Sequence, residues 1–253
     1  MADIFNSSRR KLARAEKHIH DFEGSLARFE EGNSHEEFSE PDPENPKNTI
    51  HKIRLTNPMP DFLDVIAADA INNLRTALDH AAYALAAIKT PSPKNAAFPF
   101  SGSLAEFDRT VNGRCKDIPE NIRPFFRTFK PYKGGNDALC ALNELYNVDK
   151  HALLTPVGTG VVRLHTKASG TGFFSIPNNP VWDRVKNEVV LFTTGPNIES
   201  FKYDFEFAFF ESFEDVETVR GHPVIRVLHA LAGEVDRVLV AIEAEARRIK
   251  LIP

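Results

Sequence analysis

Cysteine is nearly missing from this chain. Its 253 residues include only Cys115 and Cys140, too few for a disulfide framework and not placed at a metal-ligand spacing. Reduced thiols in a reducing compartment are therefore expected. Long apolar runs are absent as well. The longest, residues 81–88, falls far short of the ~20 residues that span a bilayer, and residues 1–10 contain no apolar stretch of the kind that directs secretion. A cytoplasmic location without membrane contact is the expectation. Charge of neither sign dominates. A formal net charge of −4 gives no overall attraction for nucleic acid, so any such contact must come from a local basic patch. There is no Gly-x-Gly-x-x-Gly or Walker-type loop, which removes the usual dinucleotide and nucleoside-triphosphate cradles. Neither a metal nor a cofactor is expected.

Phenylalanine, by contrast, is plentiful, with 20 residues against one Trp and four Tyr. It adds buried area without a polar group to satisfy, so a sizeable core is expected. In residues 8–31 the apolar positions Leu12, Ala15, Ile19, Phe22, Leu26 and Phe29 recur in steps of three and four, the seam of a long helix for which Ser7 or Ser8 supplies a cap. Its first turns carry Arg9, Arg10, Lys11, Arg14 and Lys17, which read as a solvated face or as a nucleic-acid contact. Residues 35–48 are acidic and interrupted by Pro41, Pro43 and Pro46, and they predict a surface loop. In residues 49–56, Ile53 and Leu55 alternate with Lys52 and Arg54, the pattern of a half-buried edge strand. Helices are predicted over about 61–88 and from 136 to about 154, with shorter ones near 119–128 and near 103–111, where Ser103 and Glu106 fit a capping box.

After Pro156 the period changes to two. Residues 161–167, 172–176, 188–193 and 201–210 predict strands of an antiparallel sheet. The apolar stripe Val224, Val227, Leu228, Leu231, Val235, Val238, Leu239 and Ile242 predicts a closing helix beside the first and central ones. The expected fold class is α+β: a helical bundle layer built from both chain ends, with a small antiparallel sheet inserted before the C-terminal helix. Residues 1–253 are expected to form one domain, with 155–215 as a strand-rich insertion within it.

Residues 72–83 are the hardest stretch to explain as ordinary packing. At about 100° per residue, Arg75, Asp79, Asn72, Tyr83, Thr76, His80 and Asn73 fall on one arc, and Ile71, Leu74, Leu78, Ala81 and Leu85 on the other. Solvated helix faces usually carry Lys and Glu. Short or rigid hydrogen-bonding groups point instead to an ordered polar cluster. The helix from residue 136 repeats the design, with Asn143, Asn147, Lys150 and His151 on one face and Ala138, Leu142, Leu145 and Ala152 on the other.

Arg75 and His80, with four residues between them, resemble the Arg-(four to six residues)-His signature of the HEPN family, compact helical proteins of which many are metal-independent ribonucleases. The resemblance implies a homodimer that meets RNA across its interface, acting as a toxin or phage-defence effector, with an antitoxin or other protein as a further partner. It implies that His80 moves a proton at the ribose 2′-OH and the leaving 5′-oxygen. Arg75 would hold the non-bridging oxygens, and a 2′,3′-cyclic phosphate would result. Asn72, Asn73, Thr76, Asp79, Tyr83, Asn143, Asn147, Lys150 and His151 would bind RNA or orient the reactive pair.

Arg14 and His20, with five residues between them, fit the same signature. About 140° of helix also separate Arg75 from His80, so convergence on one phosphate needs the arginine to reach round, a distorted helix or a twin subunit. Two further readings use the same residues. In one the chain is a non-catalytic helical interaction module: Arg75 pairs with Asp79 at i,i+4, His80 caps or bonds a neighbouring backbone, and the asparagines pin helix to helix. In the other, a small ligand or nucleotide is held between the two polar helices.

Overall fold

The computed structural model describes residues 3–32, 35–57, 60, 62–149, 156–170, 172–177, 183, 185–196, 198–213 and 216–253; for 156–170 and 198–211 it describes the backbone alone. The first helix, α1 (Asn6–Gly32), buries Leu12, Ala15, Ile19 and Phe22 along the expected seam. Its cap is Asp3, not Ser7 or Ser8. The Asp3 carboxylate accepts the Phe5 N–H at 3.0 Å and pairs with Arg9, so a negative charge meets the positive end of the helix dipole.

The central element is α2 (Phe62–Ala87). Ala67, Ala70, Ala77 and Ala81 are fully buried along it, and such small side chains let neighbouring helices come close. Three helices pack on it: α1, α4 (Asp137–Asp149) and α5 (Val224–Arg248). All eight residues of the predicted C-terminal stripe are buried on α5. Asn136 caps α4, its Oδ1 accepting the Leu139 N–H at 3.1 Å while its Nδ2 donates to Glu234 of α5 at 2.6 Å.

Between α2 and α4 lie α3 (Leu104–Arg114) and a 3-10 turn, Arg123–Phe129. Phe98, Phe100, Phe126 and Phe129 close the core there, with the Phe98 ring 4.9 Å from Phe100 and 5.8 Å from Phe126. The capping box predicted for α3 does not form. Ser103 precedes the helix without a side-chain cap, and Glu106 lies 3.7 Å from Arg109.

The β strands are β1 (His35–Pro41), β2 (Thr49–Leu55), β3 (Pro156–Gly170), β4 (Phe174–Ser175), β5 (Glu188–Thr194) and β6 (Ile198–Phe213). A four-stranded antiparallel sheet runs in the order β1-β2-β5-β4, and β3 pairs antiparallel with β6 as a ribbon, Val161 opposite Ala208. The α+β class is as expected, but the segment read as a surface loop contains β1. Its prolines lie at or beyond the end of the strand, where they remove no donor from the pairing. As a result β2 is an interior strand. Lys52, expected on a wet face, is buried and bonds Glu188 at 2.7 Å and Glu40 at 2.5 Å, while Arg54 reaches Glu188 at 2.9 Å. The new edge, β1, is acidic and exposed, which discourages further strand pairing. Among the described residues no helix is long and apolar enough to cross a membrane.

Candidate functional site

Arg75 and His80 face different surroundings. Arg75 is 4% exposed. Its Nη1 donates to Asp79 Oδ2 at 2.5 Å, and its guanidinium lies 4.0 Å from the Phe100 ring centroid and 5.5 Å from that of Tyr146. The other Asp79 oxygen accepts the Phe98 N–H at 2.8 Å. The Arg75–Asp79 pair thus ties α2 to the chain at 98–100 and to α4. A planar, weakly hydrated cation between ring faces with a carboxylate on its edge is a stable way to bury arginine. Its Nε remains buried without a partner.

Arg75, expected at a phosphate, is thus sealed in this chain by the packing around it. The physical reason lies in the helix wheel. Arg75 sits at the margin of the polar arc, about 40° from Ile71, close enough to the apolar face to be carried inward with it.

His80 sits nearer the outer part of the arc and is only partly buried. Its Nδ1 lies 2.7 Å from the Ser7 hydroxyl at the start of α1. Burial pushes the imidazole below its ordinary value and the charge of Lys11 acts in the same direction, with Asp79 opposing them. The neutral ring, able to accept a proton or a hydrogen bond, is therefore favoured. Beside it opens a cleft of about 660 Å³, walled by Ile4, Tyr83, Ala87 and Ile88, with Ser7 and His80 among its polar groups. Tyr83 is 46% exposed there.

The remaining predicted residues are spread along the α1/α2 seam or lie away from it. Thr76 Oγ1 is 3.4 Å from Asn72 Oδ1. Asn73 accepts from Lys11 at 3.3 Å and donates to the Asp69 carbonyl at 2.8 Å. On α4, Asn143 is half-buried and Asn147 exposed, and the side chain that α4 brings to Arg75 is Tyr146. Lys150 and His151 lie outside the described residues.

Sequence reasoning did not place Ser7 or Phe100 at the site, and it read Lys11 only as part of a basic cluster, either a solvated face or a nucleic-acid contact. Ser7 is 73 positions from its partner, a pairing that only the antiparallel course of α1 along α2 creates. Among the described residues no three His, Cys, Asp or Glu side chains converge as a metal site would require. Comparison with protein-family models, with curated proteins and with solved structures finds no match to this chain.

Proposed function

We propose that this chain binds a small molecule with an apolar, preferably flat body and one hydrogen-bonding head, received in the cleft between the start of α1 and the C-terminal half of α2. The observation that carries this reading is the composition of the cleft. An apolar wall with an exposed phenol ring ends at an imidazole and a hydroxyl already held in place, the usual build of a small-ligand site. Nucleosides and nucleotides are the first class to test. A base can stack on Tyr83 and bond Ser7 or His80 through its edge. A ligand present at a hundred times its Kd raises folding stability by about 2.7 kcal/mol, which a melting experiment reads directly. If no nucleoside, nucleotide or comparable flat heterocycle raises the melting temperature, or if Tyr83→Ala leaves a measured rise unchanged, this reading fails.

A second reading is a metal-independent ribonuclease acting as a homodimer on RNA. It is favoured by one feature: the cation acting on His80 is Lys11 of α1, which could take the phosphate-holding role that sealed Arg75 cannot. An antitoxin or other partner protein belongs to this reading alone, and a cytoplasmic location suits both. Under it, the protein cuts RNA in EDTA, cutting requires His80 and Lys11, and the product carries a 2′,3′-cyclic phosphate. Uncut RNA under those conditions, with ligand-dependent stabilisation intact, leaves the first reading standing alone.

A further inference from the structure

The contact between Ser7 and His80 carries more than binding. A hydroxyl beside an imidazole is common on protein surfaces, and the setting is what distinguishes this pair. Both groups line the same cleft, with Ile4, Tyr83, Ala87 and Ile88 as its apolar wall, and their polar atoms are 2.7 Å apart. In the tautomer with the proton on Nε2, the Ser7 hydroxyl donates to Nδ1, which is the relation of a nucleophile to its general base.

Ser7 also stands in the first turn of a 27-residue helix with no acidic side chain in that turn. The helix dipole puts partial positive charge at this end; the Asp3 carboxylate that caps it accepts the Phe5 N–H and is itself paired with Arg9, and the positive potential left over favours a negative oxygen forming beside Ser7. On the far side, Asp79 lines the cleft with its two oxygens held by Arg75 and the Phe98 N–H, a fixed negative charge that favours an imidazolium when one forms.

We infer that Ser7 and His80 form a nucleophile–base dyad and that the cleft hydrolyses esters of small, uncharged, apolar carboxylic acids. This inference rests on the cleft being a small-molecule site and adds a reaction to it. Ser7 Oγ bonds to the acyl carbon as its proton passes to His80 Nδ1, and the carbonyl π pair moves onto oxygen. Collapse of that intermediate expels the alkoxide, which takes the proton from Nδ1 and leaves as the alcohol. Water then attacks the Ser7 ester while His80 accepts its proton, and the carboxylic acid departs as the proton returns to Ser7 Oγ. No metal, oxidant or reductant enters the balance.

The test uses the full chain and an alkyl fluorophosphonate, which traps an activated serine. At about pH 8, where the base is deprotonated, one adduct per chain is expected, mapped to Ser7 by peptide mass and absent in Ser7→Ala. His80→Gln is expected to slow its formation about 100-fold or more, the usual contribution of a general base. The labelling rate should climb with pH and level off once the imidazole is neutral, a profile that a merely structural hydrogen bond would not produce. p-Nitrophenyl butyrate should give an initial burst of p-nitrophenolate in the same dependence on both residues.

An adduct elsewhere, no adduct, or labelling indifferent to His80→Gln overturns the dyad. The unsubstituted chain separates the two readings. If a nucleoside raises its melting temperature while it takes no adduct, the dyad is overturned and the binding reading stands. If no ligand stabilises it and it is not labelled, both fall.

Discussion

Arg75 and His80 lie five residues apart on α2 and belong to two different regions of the molecule. Around Arg75 the chain forms a closed joint: a guanidinium between Phe100 and Tyr146, a carboxylate on its edge, and that carboxylate held in turn by a backbone N–H. Around His80 it forms an open mouth, with one ring nitrogen fixed by Ser7 and the cleft alongside. The same residue chemistry thus serves stability in one place and accessibility in the other. What decides between them is position on the wheel relative to the apolar arc, because burial follows the packing face and polar groups on its margin must be satisfied within the fold.

The sharpest way to break this comparison is at the closed joint. Arg75→Ala removes the cation, its two ring contacts and the partner of Asp79 together. Asp79 is about a third exposed, so the loss is that of a charge-assisted bond and a packed stem rather than of a stranded buried charge, about 3 kcal/mol, and denaturant unfolding should show a drop of that size. A loss below about 1 kcal/mol, the range of ordinary surface changes, would show that Arg75 is not sealed in solution and would reopen its role at a phosphate. Asp79→Asn is the next step down. It keeps the acceptor for the Phe98 N–H but strips the charge facing Arg75, and about 2 kcal/mol is expected, within the range for hydrogen bonds to charged groups. Combining the two substitutions should cost clearly less than their sum, because residues in one network are coupled. Strict additivity would mean that the joint seen between them is not energetically real.

Much of the fold was legible because it depends on periodicity. The seam Leu12, Ala15, Ile19, Phe22 and the stripe from Val224 to Ile242 are buried where their spacing puts them. β1 was not legible, because its prolines suggested a loop and Phe38 is the one aromatic in an otherwise largely acidic strand, too little for an alternating pattern. Its place in the sheet comes from backbone pairing with β2, and Lys52 is buried only as a consequence. The α2 cluster was legible as a cluster but not in its division. The i,i+4 pairing of Arg75 with Asp79 follows from helix geometry, whereas the partners that seal it, Phe100 and Tyr146, and the partner that fixes His80, Ser7, all come from distant parts of the chain.

The smallest effect concerns the open mouth. His80→Gln should change stability at pH 7 by less than about 1 kcal/mol, as for a partly exposed side chain outside the core. Its effect should instead appear in the pH dependence. Burial, the largest cause, and Lys11 hold the folded-state value of His80 below that of the unfolded chain, about 6.5. The folded chain therefore binds protons less readily, so this contribution is fully present above about pH 6.5 and is lost as pH falls through the folded value. His18 and His51 are lowered by burial too and act in the same window, whereas Glu30 and Asp149, raised by burial, act in the opposite sense. The difference between the unsubstituted chain and His80→Gln isolates the one imidazole. Chemical denaturation from pH 7.5 down to about 5 should show the unsubstituted chain losing stability more steeply. Parallel curves would mean that His80 titrates like a fully solvated side chain, and the contrast with Arg75 would then lose its second half.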